Sequence, residues 1–600
     1  MTNTGYILGI SRGHNAAACL LKDGEIVFSV EEERLSRHKY DGGPYAAMMK
    51  VLDYTDKVDY VVVSHTQTMQ AVSQNVDYTG DNVYVGLARK LGLINRKTDI
   101  FNHPQVVDLA EHHHKIHASM AFYRSGFDEA VAVVVDGAGS CKQVSFGNMP
   151  AMLWEVETIY DCSYPNNFST LHKHYGSRDI VPCDKVTIPK DAFLEEKDVE
   201  AYITDRAGIV KLYEAVTEYC GFQGIEAGKT MGLFPYGKPN AAIPPLFNTV
   251  SDVFPFDLVD RNLVIPTYPG SAFVNRNLIA ELKDDPTVSV KDLTQLQNRR
   301  DLAYALQTQT QEQVLKLIIR ASELSGKKNV VLAGGYGLNC VANYFYLDKL
   351  NELGIKLYVE PISNDGGTAI GAALWFYHNL TGSTKKAPSS IYLGPKYEYT
   401  EQQILDLCDK YGASVEDAND EKIVDMLTSK NIVAMFQGRS ENGPRALGNR
   451  SILFDPRFKD GKDYVNTVKR REYFRPFAGS ILKEDVHEWF DLKGMEASPH
   501  MMYAVSCRPG VEEKIPSIIH VDGSCRIQTV TENENPLYYR FISKFKEKTG
   551  VPIVFNTSFN LGGEPLVETL EDALWTLQQS NIEYLYLPEY SKLLSIRNGT

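Results

Sequence analysis

The sequence predicts an α/β fold in two domains or more, on three observations. At 600 residues the chain exceeds what one hydrophobic core usually supports. Short apolar runs lead repeatedly into glycine-rich turns and then into helix-like sequence. Such strand–turn–helix joints aim backbone N–H groups at one end of a sheet, where phosphates bind. A strand, a small-residue turn and a hairpin also occur twice, which predicts duplicated subdomains.

Taken in order, Tyr6–Ile10 reads as a strand and SRGHNAA as the turn after it. Ala18–Leu21 and Glu25–Val30 flank KDG, a hairpin signal. The second copy opens with the apolar run Val131–Val135, ends in Asp136-Gly137, and continues with strand-like stretches at Gln143–Gly147 and Met152–Ile159. Helical periodicity covers 290–325. Asn329–Leu332 then feeds AGGYGLNC, and Leu357–Glu360 feeds PISNDGG, each ahead of a helix. The Gly/Ser/Pro/Lys-rich stretch Leu380–Pro395 reads as a linker, dividing the chain into domains 1–385 and 395–600.

Composition narrows the class. Hydrophobic content of 43% and charged content of 23% are those of a soluble globular protein, and the net charge of -14 argues against generic duplex-DNA affinity. Nine cysteines, odd in number and without a CxxC pair, read as reduced thiols. MTNTGYILGI lacks a basic leader and no window resembles a membrane span, so a cytoplasmic location is expected.

Against the acidic whole, residues 439–483 hold 11 Lys/Arg and 5 Asp/Glu. Arg439, Arg445, Arg450, Lys469, Arg470, Arg471 and Arg475 stand among Gly, Pro, Asn and Ser. Guanidiniums beside flexible backbone suit bidentate phosphate or carboxylate binding. A solvated basic loop is the alternative, and the interleaved Pro444, Leu447, Phe474 and Phe477 argue against it.

A second constellation suits a metal. In EHHHKIHA, His113 and His117 stand four apart, on one face of a helix. Asp136 closes an apolar strand, and Asp365 in NDGG is read as a second strand-end carboxylate. A His/carboxylate set suits Fe2+, Mn2+ or Zn2+, and surface or hydrogen-bonded histidines are the alternative. Lys229 in GKTMG is a candidate phosphate contact, although the preceding glycines are wrongly spaced for a P-loop. Arg89, Lys90, Arg96 and Lys97 near Tyr84 form a small basic–aromatic cluster, for which a solvated helix is the simpler reading.

These motifs together resemble the O-carbamoyltransferase family of nodulation-factor, tobramycin and cephem carbamoyltransferases. The resemblance runs through EEERLSRHKYD, HHKIHA, VDGAG, EAGKTMGLFPYGKP, LAGGYGLNC, NDGGTAIGAAL, GPRALGNRS, VKRREYFRPFA, HVDGSCRIQTV and NTSFNLGGEPLVE. It departs at GHNAA, where many relatives carry an acid after the histidine and this chain has Asn15. The resemblance implies an N-terminal Kae1-like domain of the actin/sugar-kinase fold (ASKHA) and a C-terminal YrdC-like domain. It implies that ATP and carbamoyl phosphate form O-carbamoyladenylate on Arg445, Lys469, Arg475, Arg526 and Ser558. The carbamoyl group would then pass to a hydroxyl at a metal held by His113, His117, Asp136 and Asp365, with Fe2+ favoured, Mn2+ or Zn2+ as alternatives, and Mg2+ accompanying ATP. His14 is the candidate base or hydroxyl orienter, with Lys39 as electrostatic partner. Gly137, Gly334, Gly335, Asn339, Gly366 and Lys229 would hold the nucleotide.

The acceptor stays open between a sugar or antibiotic alcohol and a hydroxymethyl group on a pyrimidine, free or in DNA. A homodimer is open too, and no membrane partner is expected. The competing readings are a tRNA threonylcarbamoyl-modifying enzyme and a non-catalytic nucleotide-binding assembly protein.

Overall fold

The computed structural model describes residues 4–66, 83–96, 103–190, 197–268, 271–275 and 290–596. The chain forms two compact units, Met1–Val27 with Gly42–Ser389, and Phe28–Asp41 with Ser390–Thr600.

The first unit is built on two sheets. One has the order β3-β2-β1-β4-β5, from β1 (Tyr6–Ser11), β2 (Ala17–Lys22), β3 (Glu25–Glu31), β4 (Tyr60–Ser64) and β5 (Val106–Asp108). Its β2–β3 turn is Asp23-Gly24, with φ of 48° and 81°, a conformation Asp and Gly tolerate. The other comprises β6 (Glu129–Val135), β7 (Cys141–Phe146), β8 (Met149–Ser163), β9 (Asn167–Ser177), β10 (Asp184–Ile188), β11 (Val199–Thr204), β12 (Asn329–Ala333) and β13 (Lys356–Val359). Its main path runs β10-β11-β9-β8-β6-β12-β13, with β7 on β8.

The stretch β9-β8-β6-β12-β13 repeats the third-second-first-fourth-fifth order of the first sheet. In both, the first strand pairs antiparallel with the second and parallel with the fourth, and the fourth parallel with the fifth. The predicted duplication is therefore one of topology, the arrangement of the actin/sugar-kinase fold. The parallel strands YVVVS, EAVAVVV and NVVLA are the β-branched apolar runs expected of strands covered on both faces.

Helices fill the space on these sheets. In chain order the helices are α1 (Glu32–Ser36), which belongs to the second unit, and in the first unit α2 (His113–Arg124), α3 (Ile209–Tyr219), α4 (Gln297–Ser325), α5 (Cys340–Glu352) and α6 (Thr368–Thr381). The α6 helix packs on β1, β2, β4 and α2, while α2 packs on β6, β8 and β12. Every residue of α2 is buried, polar ones included. Close approach is set by glycine: a Cβ on Gly371 would lie 2.4 Å from the Ile116 carbonyl oxygen, and one on Gly9 2.1 Å from that of Ala369.

After α6 the chain runs without helix or strand until Thr400, and the division between units falls at Ser389/Ser390. The second unit also takes Phe28–Asp41, so the N-terminal stretch carrying α1 belongs to it. A ten-stranded mixed sheet forms this unit. Flanking helices include α7 (Gly461–Val468), α8 (Pro536–Thr549) and α9 (Leu570–Gln578). Arg34 on α1 donates to the carbonyls of Glu441 and Gly443, and Arg37 to those of Leu566 and Pro565.

Candidate functional site

In the first unit His113, His117, Asp136 and Asp365 converge, with one ligand atom from each lying within 4.8 Å of all the others. The α2 helix supplies the two imidazoles on one face, as the i, i+4 spacing predicts. Asp136 follows β6 directly. Asp365 does not sit at a strand end: β13 stops at Val359, and Asp365 opens the short 3-10 turn that leads into α6. The residue at that strand end is Glu360, fully buried and paired with Arg124 at 3.1 Å. The carboxylate nearest the strand thus anchors α2, and the turn delivers the one at the cluster.

Distances fit a metal ion. His113 Nε2 and His117 Nε2 are 3.2 Å apart. Asp136 Oδ2 lies 3.5 Å and Asp365 Oδ1 3.6 Å from His113 Nε2, and Asp365 Oδ1 is 3.5 Å from His117 Nε2. Bonds of about 2.0–2.2 Å to a tetrahedral ion imply ligand–ligand edges of roughly 3.3–3.6 Å. Burial opposes a charged His113, yet the contacts of Asp136 and Asp365 outweigh it and hold its pKa at about 10. Burial likewise opposes charge on both aspartates. His113 still holds Asp136 below the carboxylate range, as His14 and His113 do Asp365. Four groups that demand positive charge between them suit a divalent cation with nitrogen and oxygen ligands.

The surroundings fix these ligands. Asp136 Oδ1 accepts the Gly335 N–H at 3.1 Å, leaving Oδ2 for the cluster. Gly334 has φ of 85°, and a Cβ there would meet the Val135 carbonyl oxygen at 2.4 Å, so only glycine lets this loop reach the strand end. The His113 N–H donates to Ser140 Oγ, which donates to the Ala110 carbonyl, and the Ser140 N–H donates to Glu155. Glu155 in turn pairs with Lys173 at 2.8 Å. The start of α2 is thereby tied to the loop after Asp136. His114, between the ligands, faces away to Thr158, and burial lowers its pKa to about 4.

His14, in the β1–β2 turn, brings Nδ1 to 3.8 Å from Asp365 Oδ2 and is half exposed. Two further charged groups, not singled out from the sequence, stand over Gly137. Lys211 and Glu214 on α3 form an ion pair at 2.6 Å, and a Cβ on Gly137 would lie 3.0 Å from Glu214 Oε1 and 3.3 Å from Lys211 Nζ. The KLYE spacing permits an i, i+3 pair but carries no signal that it faces a loop far away in sequence. Of the other nucleotide candidates, Gly366 is buried in the 3-10 turn. Asn339 caps α5 and bonds to Gln307. Lys229 pairs with Glu226 at 2.8 Å. Arg89 and Arg96 donate to each other's carbonyls at the end of helix Val83–Leu91, and Lys97 lies outside the described residues.

The second unit gathers cations. Lys469, just past α7, is buried and donates to the carbonyl of Ser558, with Ser558 Oγ and Asn560 Oδ1 at 3.3 Å. Burial, then the charges of Arg471, Arg475 and Lys39, push the Lys469 ammonium well below its usual range. Lys39, expected as a partner of His14, falls in this second unit, in the field of Lys469. Burial also depresses Arg471, helped by Arg475 and Arg526. Mutually repelling cations, Lys469 buried and the three arginines half-buried, leave the site short of negative charge.

Not every basic residue of the segment serves that purpose. Arg450 is fully buried, stacks 3.7 Å from the Phe436 ring centre, and donates to the carbonyls of Gln437, Asn449 and Glu568. Arg439 donates to Leu393 and Gly394 carbonyls. Glu441 staples the loop by accepting the N–H groups of Leu447 and Asn449, and Arg445 is half-buried within it. The nine cysteines are free thiols, and no described helix is long and apolar enough to cross a membrane.

Two family models match the chain. Residues 6–85 and 65–374 match the family model "Carbamoyltransferase N-terminus", and residues 424–592 match "Carbamoyltransferase C-terminus". The chain is 30% identical to nodulation protein NolNO of Sinorhizobium fredii, over 96% of this chain and 78% of that one. It is 31% identical to the 3'-hydroxymethylcephem-O-carbamoyltransferase of Streptomyces clavuligerus, over 58% of this chain and 61% of that one. Among solved structures, full-length HypF overlaps 64% of this chain and 56% of its own, at 12% identity and a TM-score of 0.35, a likeness from which no chemistry follows.

Proposed function

The chain belongs to the carbamoyltransferase family, and from that premise we propose that it is an ATP-dependent O-carbamoyltransferase working in two steps at two centres. The observation that carries this reading is the pair of opposed charge patterns. One unit holds a buried His/carboxylate cluster that calls for a cation, the other a Lys/Arg cluster around the buried Lys469 that calls for anions.

In the second unit, Lys469, Arg471, Arg475 and Arg526 would neutralise ATP and carbamoyl phosphate, and Ser558 and Asn560 would orient them. With one water, carbamoyl phosphate and ATP give O-carbamoyladenylate, pyrophosphate and phosphate. In the first unit the acceptor oxygen attacks the carbamoyl carbon, and AMP leaves with the bonding electron pair. His113, His117, Asp136 and Asp365 would hold the divalent ion, Fe2+ by preference, which would supply Lewis acidity at the leaving phosphate. His14 would orient the acceptor hydroxyl or take its proton, and the Gly334-Gly335 turn would admit the nucleotide beside Asp136. The acceptor is read as an alcohol of the sugar or antibiotic type. The relative named for a hydroxymethylcephem supports that class.

Mass spectrometry tests the proposal. The protein, ATP, Mg2+, Fe2+ and carbamoyl phosphate are incubated with aminoglycosides, sugars, hydroxymethylated nucleosides and hydroxymethylated DNA. One carbamoyl group gained by one alcohol class is the expected result; no consumption of ATP with any of them would refute it. Lys469→Ala should abolish carbamoyladenylate formation while leaving transfer from supplied intermediate, and His117→Ala should do the reverse.

A further inference from the structure

The Lys211–Glu214 pair is more deeply placed than a surface helix pair. The Lys211 side chain is 6% exposed and that of Glu214 22%. A buried ion pair gives little net stability, because desolvation offsets its attraction. Stability therefore does not explain why charges stand here. Both heads are aimed at Gly137, whose backbone joins the ligand Asp136 to the loop behind it. At the start of α3 the Ile209 N–H is already taken by Glu157, which His174 holds at 2.6 Å. An anion brought over Gly137 meets the Lys211 side chain, whose Nζ would stand 3.3 Å from a Cβ there.

Formal charge identifies the ligand. A divalent ion between Asp136 and Asp365 is neutral overall, and Lys211 cancels Glu214. A nucleotide phosphate entering over Gly137 then gains a full positive charge when Lys211 turns from Glu214 to it.

Resting on the reading of the first unit as a nucleotide site, we propose that Lys211 is a second cation for the nucleotide's phosphate there, parked on Glu214 until the phosphate arrives. The ammonium exchanges one carboxylate oxygen for a phosphate oxygen, and no covalent bond changes.

The test uses the full chain loaded with Mn2+, titrated with ADP and followed by paramagnetic broadening of the ADP 31P resonances. His117→Ala, which removes an ion ligand, gives the blank, so nucleotide bound in the second unit does not count. Lys211→Met should weaken ADP binding by about 10–100-fold, the worth of one hydrogen bond to a charged group, with the Mn2+ stoichiometry unchanged. Glu214→Gln should tighten it, by about threefold or more, because the competing carboxylate is gone. Equal affinity in Lys211→Met and wild type overturns the proposal. Should Lys211→Met not fold, unchanged or weaker binding by Glu214→Gln overturns it. No broadening in the wild type overturns the nucleotide reading of this unit together with the proposal, whereas broadening with unaltered variants overturns the proposal alone.

Discussion

Gly334 shows how much one position can determine. Its φ of 85° lies in the left-handed region, and its neighbour Gly335 orients Asp136. Gly334→Ala should destabilise the protein by roughly 2 kcal/mol or more in denaturant titration and lower its metal content with it. Lys469 makes a prediction of the opposite sense. The unfolded chain keeps this proton to about pH 10.4. The folded, anion-free protein loses it at lower pH, because burial depresses the ammonium. Between those values the unfolded state binds more protons, so stability rises with pH, and below them the full cost of a buried charge remains. Lys469→Met should therefore melt above wild type at neutral pH, the gap narrowing as pH rises toward 10. Inorganic phosphate should close the gap at neutral pH. A constant gap across that range would place the ammonium in solvent. Sequence reading found Lys469, His113 and His117 because their chemistry shows in local spacing. It missed Lys211 and Glu214, whose role depends on a loop distant in sequence.

At the scale of elements, the ligand helix α2 is buried on every side although its sequence is half polar. His114 Nδ1 meets Thr158, Arg124 meets Glu360, and the tie from His113 through Ser140 to Glu155 fixes where the helix begins. Ser140→Ala should weaken metal binding about tenfold in competition with a chelator, since partners behind the ligands typically matter by that much. Unchanged affinity would make the tie purely structural. The α1 helix is the second case. Arg34 bonds the carbonyls of Glu441 and Gly443, inside the loop that Glu441 staples. Arg34→Ala should cost about 1.5–3 kcal/mol and remove hydrogen-exchange protection from residues 441–450. The strands and helices themselves were legible, because apolar runs and glycine turns are local signals. That EEERLSRHKYD belongs to the second unit was not, because no composition shift marks a segment that leaves one core for another.

For the whole molecule, two sheets of one strand order and a separate ten-stranded sheet carry two centres of opposite charge demand. Each centre should fail alone, as the Lys469→Ala and His117→Ala pair tests. By itself the sequence determined the α/β class, the duplication, the family, and the four residues of the cation cluster. The class, the duplication and three of the four residues rest on local spacing: two imidazoles one helical turn apart, an acid closing an apolar run, glycines ahead of a helix. The family rests on motifs spread along the chain, and Asp365 was found although it opens a turn instead of ending a strand. Only the tertiary structure decided which charges serve the sites and which serve the fold. Arg450 and Arg439 look like anion binders in the sequence and are held by backbone carbonyls, while Lys211 looks like a surface lysine and stands over Gly137. A charged side chain's role is set by what faces it across the fold, and that partner need not be near it in sequence.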